Sequence, residues 1–175
     1  FYEINKLFPE TRFVMNGFGN LRSFVSSEIK RQGLSESVSF ADSIVSWEGL
    51  HEVYRSADVI LSSKHGRDQS IEYSWGISDW SIAEMDACAS GMGLIVSKCS
   101  LGLNQLMHQT ESGFIIESPS DLEAVLAAAT QYITVDELLV HDGRRLRAAV
   151  KKYSVPEYAK NLYGLSLRLI EQWRM

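Results

Sequence analysis

The stretch best suited to chemistry is residues 81–91, SIAEMDACASG. It reads as an amphipathic helix opening just after a glycine- and serine-bearing loop, with one carboxylate, Glu84, in its first turn. Small residues (Ala83, Ala87, Ala89, Ser90, Gly91) line its length. The amino end of a helix offers unpaired backbone N–H groups and a partial positive charge, which suits a phosphate. A carboxylate one turn in cannot favour that phosphate, but it can accept hydrogen bonds from a pair of sugar hydroxyls. The two features together fit a ligand carrying both a diphosphate and a ribose diol. This reading requires an open crevice at the helix start, with Glu84 aimed into it. The competing reading is a first-turn glutamate that only favours the helix dipole.

Other groups weigh less. Gly17-Phe18-Gly19 follows a strand and precedes a helix, yet it lacks the third glycine of a dinucleotide fingerprint and the acidic residue expected beyond it. A tight turn explains it as well as close backbone approach to a ligand. Residues 63–78 form a long polar loop containing Lys64, His65, Arg67 and Asp68. His65 would serve as a general base only if something oriented it, and Lys64 and Arg67 would clamp phosphate only if they converged. A solvated loop is the simpler account of all three.

The elements that must position these groups follow from periodicity. Residues 12–16 and 37–40 read as short strands, the first buried, and 57–62 (ADVILS) as a buried one; 93–97 (GLIVS) and 113–116 complete the set. Helical spacing covers residues 1–8, 21–32, 47–56, 81–91, 120–131 and 135–152, and a last helix starts at Pro156. Leu21, Phe24, Val25 and Ile29 share one face of the second helix, and Gly33 is placed to end it. Ser120 reads as the cap of a later helix, with Glu123 completing a capping box. Residues 100–107 (SLGLNQLM) read only as a short connecting segment. Strands alternating with helices predict an α/β, doubly wound, Rossmann-like parallel sheet with helices on both faces. Such sheets bind ligands beyond the carboxyl ends of their strands. Three polar, glycine-bearing loops fall there: 17–20, 62–78 and 97–104.

Composition narrows the class. A chain of 175 residues, 45% hydrophobic, fits one domain with a sizeable core. A net charge of −5 argues against a general nucleic-acid binder. The basic run Arg144, Arg145, Arg147, Lys151, Lys152 therefore reads as a solvated helix face. No apolar run approaches the roughly 20 residues that span a bilayer, and no signal peptide is visible. Cys88 and Cys99 lack metal-ligand spacing and read as reduced packing residues of a cytoplasmic protein. The chain opens on Phe1 inside a helical pattern, which suggests a piece of a longer protein with an earlier strand missing. Trp173 would be costly on a bare surface and suggests packing against a further part of that protein.

In this order the motifs resemble the C-terminal domain of a GT-B glycosyltransferase, in the large retaining family 4 group. RFVMNGFG, SVSFADSI, GLHEVYRSADVILSS, SIAEMDACASGMGLIVS, ESGFIIESPSDLEAVLAAA and YSVPEYAKNLYGLSLRLI each resemble a family segment, and together they cover nearly the whole chain. The resemblance implies that residues 1–175 are a nucleotide-sugar-binding domain, the half that holds the donor. It implies retaining transfer of a sugar from a nucleoside-diphosphate sugar to an acceptor hydroxyl, with no cofactor and no metal. Its partners would be a nucleotide sugar and an N-terminal acceptor domain, through which alone any peripheral membrane contact would come; nucleic acid is not implied.

In that family two glutamates seven residues apart bind the donor. Glu84 matches the second, which holds the ribose hydroxyls. The position of the first falls on Gly76, which has no side chain. Either Glu72 takes that catalytic role through a lengthened loop, or Asp79 does, or the role is lost and the domain is a non-catalytic binding or assembly module. Glu72 is preferred, because it lets Trp75-Gly76-Ile77 align with the family's aromatic-glycine-aliphatic turn. By the same resemblance Gly17, Gly19, Gly76, Ile77, Ser78 and Ser81 are donor-binding candidates. Gly102 is another, in a segment where the family often has a glutamate and this chain has Gln105. Alone, the domain is expected to bind donor weakly and to be inactive.

Overall fold

The computed structural model describes residues 1–15, 19–41, 47–62, 82–98, 101–118 and 120–173. They form α1 (Tyr2–Leu7), β1 (Phe13–Met15), α2 (Arg22–Arg31), β2 (Val38–Phe40), α3 (Trp47–Ser56), β3 (Val59–Ser62) and α4 (Ile82–Ser90). There follow β4 (Gly93–Ser97), α5 (Leu101–Thr110), β5 (Phe114–Ile116), α6 (Leu122–Thr134), α7 (Asp136–Val150), a single 3-10 turn (Lys151–Tyr153) and α8 (Val155–Trp173). Among the described residues every strand pair is parallel: β1 with β2, and β3, β4 and β5 in that order. The domain is α/β and Rossmann-like.

The centre is β4, buried at all of its positions. A strand with helices on both faces reads as an unbroken apolar run, and GLIVS is one. Leu94 and Val96 pack with Ala87 and Cys88 of α4, Leu103, Leu106 and Met107 of α5, and Leu146 and Val150 of α7. Ile95 faces the other way, toward Ile116, Ala128 and Tyr132. Helix α7 serves both layers. Leu138 and Leu139 pack into the second cluster, while Leu146 and Val150 belong to the first. It crosses the amino ends of β4 and β5, where buried Asp142 accepts from the Gly113 N–H at 2.8 Å and the Tyr132 hydroxyl at 2.9 Å.

Helix α4 stops where left-handed backbone takes over. Gly91 has φ +81, its N–H bonds to the Cys88 carbonyl at 3.0 Å, and the Met92 N–H reaches the Ala87 carbonyl at 3.1 Å. Those two bonds are the Schellman ending that favours glycine. Gly33 ends α2 in the same way, at φ +71. Gly91 also lies against α7. A Cβ on buried Gly143 would fall deep inside contact distance of the Gly91 carbonyl oxygen and 2.9 Å from its carbonyl carbon. Two backbones thus touch with no side chain between them.

Several expectations need correction. Residues 101–110 are a helix, α5, because Leu103, Leu106 and Met107 fill the groove beside β4. The cap of α6 is Asp121, whose carboxylate accepts from the Ala124 N–H at 3.0 Å; Ser120 lies one residue too early. Strands β1 and β3 are half-buried, with Val14 42% and Leu61 39% exposed, since each is an edge strand among the described residues. On α2 the apolar face is split, Val25 and Ile29 inward and Leu21 and Phe24 exposed.

Gly143→Ala should destabilise the chain by about 3 kcal/mol, the upper range for overpacking, because backbone must move. Gly164→Ala, where an added Cβ meets nothing within 4 Å, should stabilise α8 by about 0.5–1 kcal/mol. Urea unfolding of the two variants measures both signs; a Gly143→Ala curve lying on the wild-type one would disprove the close contact.

Candidate functional site

Strand β3 ends at Ser62, held in register by pairing with Val96. Side chains two apart on a strand share a face. Ile60 packs on the layer that contains α4, so Ser62 points to that layer too. Glu84 is the third residue of α4, and its Oε1 accepts a hydrogen bond of 2.5 Å from the Ser62 hydroxyl. The pair joins residues 22 apart in sequence at the carboxyl edge of the sheet. Glu84 has further interactions besides this one.

The expectation that Glu84 looks into an open crevice does not hold. Its side chain is among the largest fully buried ones, and the residue is 1% exposed. The physical reason is that small residues follow it on the helix, so α4 packs close and the carboxylate is drawn against the end of β3. Burying a carboxylate costs several kcal/mol when nothing offsets it. Here a hydroxyl donates to it, and bonds to an ionised acceptor are roughly twice as strong as neutral ones. The amino end of α4 adds a favourable field.

That buried charge reaches one turn further. Cys88 is fully buried, and its thiol is pushed up to about 12, chiefly by burial and then by the negative charge of Glu84. Only a thiolate is nucleophilic. The expectation that Cys88 is a packing residue therefore holds; Cys99 lies outside the described residues.

Beside β4 the same edge continues. Asn104, in the first turns of α5, donates from Nδ2 to the Lys98 carbonyl at 2.9 Å, and among the described residues its buried Oδ1 has no hydrogen-bond partner. A buried acceptor of that kind is where a water or a ligand hydroxyl would bond. Gly102 lies half-buried in the same helix. Gly19 sits past β1 in an open bend, where an added side chain would meet nothing within 4 Å. The other candidates, Gly17, Glu72, Gly76, Ile77, Ser78, Asp79 and Ser81, lie outside the described residues, as do Lys64, His65 and Arg67. Arg144, Arg145, Arg147, Lys151 and Lys152 are all exposed.

Reasoning from sequence put Ser62 and Asn104 in loops at this edge but named neither as a site residue. The signal for Ser62 was present: it shares strand parity with Ile60, on the side to which the following helix returns. Among the described residues no group of three or more His, Cys, Asp or Glu side chains could hold a metal, and no helix is long and apolar enough to cross a membrane.

Comparison with known proteins gives this geometry a context. The family model for glycosyl transferases group 1 matches residues 1–153. Among solved structures the chain is similar to a sucrose-phosphate synthase from Thermosynechococcus elongatus, at 18% identity and a TM-score of 0.73, over 98% of this chain and 41% of that one. It is also similar to the C-terminal domain of a glycosyl transferase group 1 family protein from Francisella tularensis, at 18% identity and a TM-score of 0.71, over 88% of this chain and 75% of that one. A third likeness is to a pneumococcal O-GlcNAc transferase solved in complex with UDP and GlcNAc, at 18% identity and a TM-score of 0.72, over 97% of this chain and 31% of that one. The chain thus spans about two fifths of the synthase. Among curated proteins none matches it.

Cys88 should resist iodoacetamide in mildly alkaline native buffer and react fully in guanidinium. Peptide mapping by mass spectrometry separates it from Cys99. Rapid native labelling at Cys88 would contradict both its burial and its raised ionisation range.

Proposed function

The chain belongs to the group 1 glycosyl transferases, and from that premise we propose that it is the donor-binding domain of a retaining, hexosyltransferase-like enzyme. The observation that carries the reading is the position of Glu84: one acid in the first turn of α4, at the carboxyl edge of a parallel sheet, bonded to the last residue of β3. Ligands of open α/β sheets bind beyond that edge. In this reading Glu84 accepts the ribose hydroxyls of a nucleoside-diphosphate sugar. Gly76, Ile77, Ser78 and Ser81 present backbone amides to the diphosphate, and Gly17, Gly19 and Gly102 line the donor site. Glu72 contacts the hexose as the catalytic carboxylate.

The hard step is departure of the diphosphate from the anomeric carbon. Oriented amides stabilise the charge that develops on it, and removing one such donor typically costs about 3–4 kcal/mol of barrier. Glu84 acts by placing the sugar–phosphate bond, not by exchanging a proton. The acceptor substrate, whose hydroxyl takes the sugar, is held by an N-terminal domain, so this chain alone binds donor and does not turn it over. Because Glu84 is 1% exposed, the edge must open by the width of a hydroxyl when the diol arrives. One feature favours a second reading, a binding module without catalysis: Gly76 stands where the first of the family's two glutamates would fall.

Calorimetry with UDP, GDP and ADP tests the proposal. The nucleotide that binds best should lose at least about tenfold in affinity with Glu84→Gln, about 1.4 kcal/mol. The amide keeps an acceptor for Ser62, and an unfolding curve for the variant checks that it still folds. Equal affinities for variant and wild type would remove Glu84 from the donor site. A donor complex with Glu72 turned to solvent would give the hexose contact to Asp79 or to neither.

A further inference from the structure

The hydrogen bond from Ser62 to Glu84 ties the last residue of β3 to the first turn of α4. Ser62 is rigid: its backbone is paired with Val96, and its side chain has a single rotatable carbon bond. Glu84 is long and has three such torsions. Each fixed donor narrows the orientations such a carboxylate can take, and Ser62 is one of the partners of Glu84. The Ser62 hydroxyl limits that freedom by engaging Oε1 at 2.5 Å. Burial magnifies the effect, since a hydrogen bond in a sheltered site is stronger than one in water.

We propose that Ser62 is the positioning residue of the donor site: it touches no substrate, and it sets the orientation of Glu84 through which the nucleoside diol is bound. The inference rests on the reading of Glu84 as the partner of that diol. A cruder alternative is that Ser62 only neutralises a buried charge and supports the fold. The two differ in which ligand they affect. A positioning residue matters only when the diol is present. A merely structural residue weakens every nucleotide alike.

The test measures, by calorimetry on the 175-residue chain, the best binder among UDP, GDP and ADP together with its 2′,3′-dideoxy form. Ser62→Ala should weaken the ribose form by about tenfold, the scale of one hydrogen bond to a charged group, and leave the dideoxy form unchanged. Ser62→Thr keeps the hydroxyl and should restore ribose binding. Should the alanine variant fail to fold, Ser62→Val against Ser62→Thr makes the same comparison in side chains of nearly equal shape. Equal loss on both nucleotides assigns Ser62 to structure and overturns the proposal. Loss with Glu84→Gln but none with Ser62→Ala overturns it while sparing the donor reading. No loss with Glu84→Gln, or no binding of any of the three nucleotides, overturns the donor reading itself.

Discussion

The contact between Gly91 and Gly143 is the constraint on which the rest depends. It lies at the carboxyl end of α4, the end away from the site. Glycine is needed at both positions for different reasons. Gly91 must adopt φ +81, and Gly143 must leave room for the Gly91 carbonyl. A helix is stiff and rises about 1.5 Å per residue, so the nine residues of α4 span about 13 Å. Fixing its far end therefore fixes where its first turn falls. With the helix seated this close to α7, Glu84 arrives at the end of β3 within bonding distance of Ser62. A side chain at position 143 would displace the whole lever, not one contact.

The two edges of the sheet each hold a buried acid, and their partners differ. At the amino edge Asp142 takes the Gly113 N–H and the Tyr132 hydroxyl, while the Leu94 N–H donates to that same hydroxyl at 3.3 Å. Burial and then the charge of Asp142 hold Tyr132 well above the usual phenol range, so it remains a donor. Those donors are set by backbone and by a packed ring that cannot turn. They seal the edge and join α6, α7, β4 and β5. At the carboxyl edge one partner of the acid is a small hydroxyl at the end of a strand. A hydroxyl can rotate and share its acceptor with an incoming group. The first arrangement suits a structural joint, and the second suits a site.

The sequence made the architecture legible and left the geometry of the site obscure. Periodicity placed α3 and β4 at their observed bounds, since Trp47–Ser56 has clear helical spacing and Gly93–Ser97 is an apolar run between turns. Gly33 read as a helix end because few other residues adopt φ +71 at low cost. Helix α5 was missed because SLGLNQLM begins with serine and glycine, and what holds it is tertiary: Leu103 and Leu106 against Val96 and Leu94. Ser120 outranked Asp121 as a cap because propensity does not distinguish neighbouring oxygen-bearing residues; backbone direction does. Glu84 stood out as a candidate by its place in a first turn, where the helix does put it. Its burial did not, because depth depends on how closely α7 and β3 approach, which no local pattern records.

Burial changes what an acid at this edge can do. An exposed carboxylate binds hydroxyls weakly, since water offers the same bonds. A sheltered one leaves a costly unpaired charge whenever its partners are withdrawn. A site built on such a group rejects a ligand lacking the matching hydroxyls far more strongly than a wet site can. The sealed position of Glu84 therefore shifts its value from affinity toward discrimination. In the proposed reading it would favour ribose over deoxyribose. The open crevice expected from the sequence would have given easier access and poorer selection.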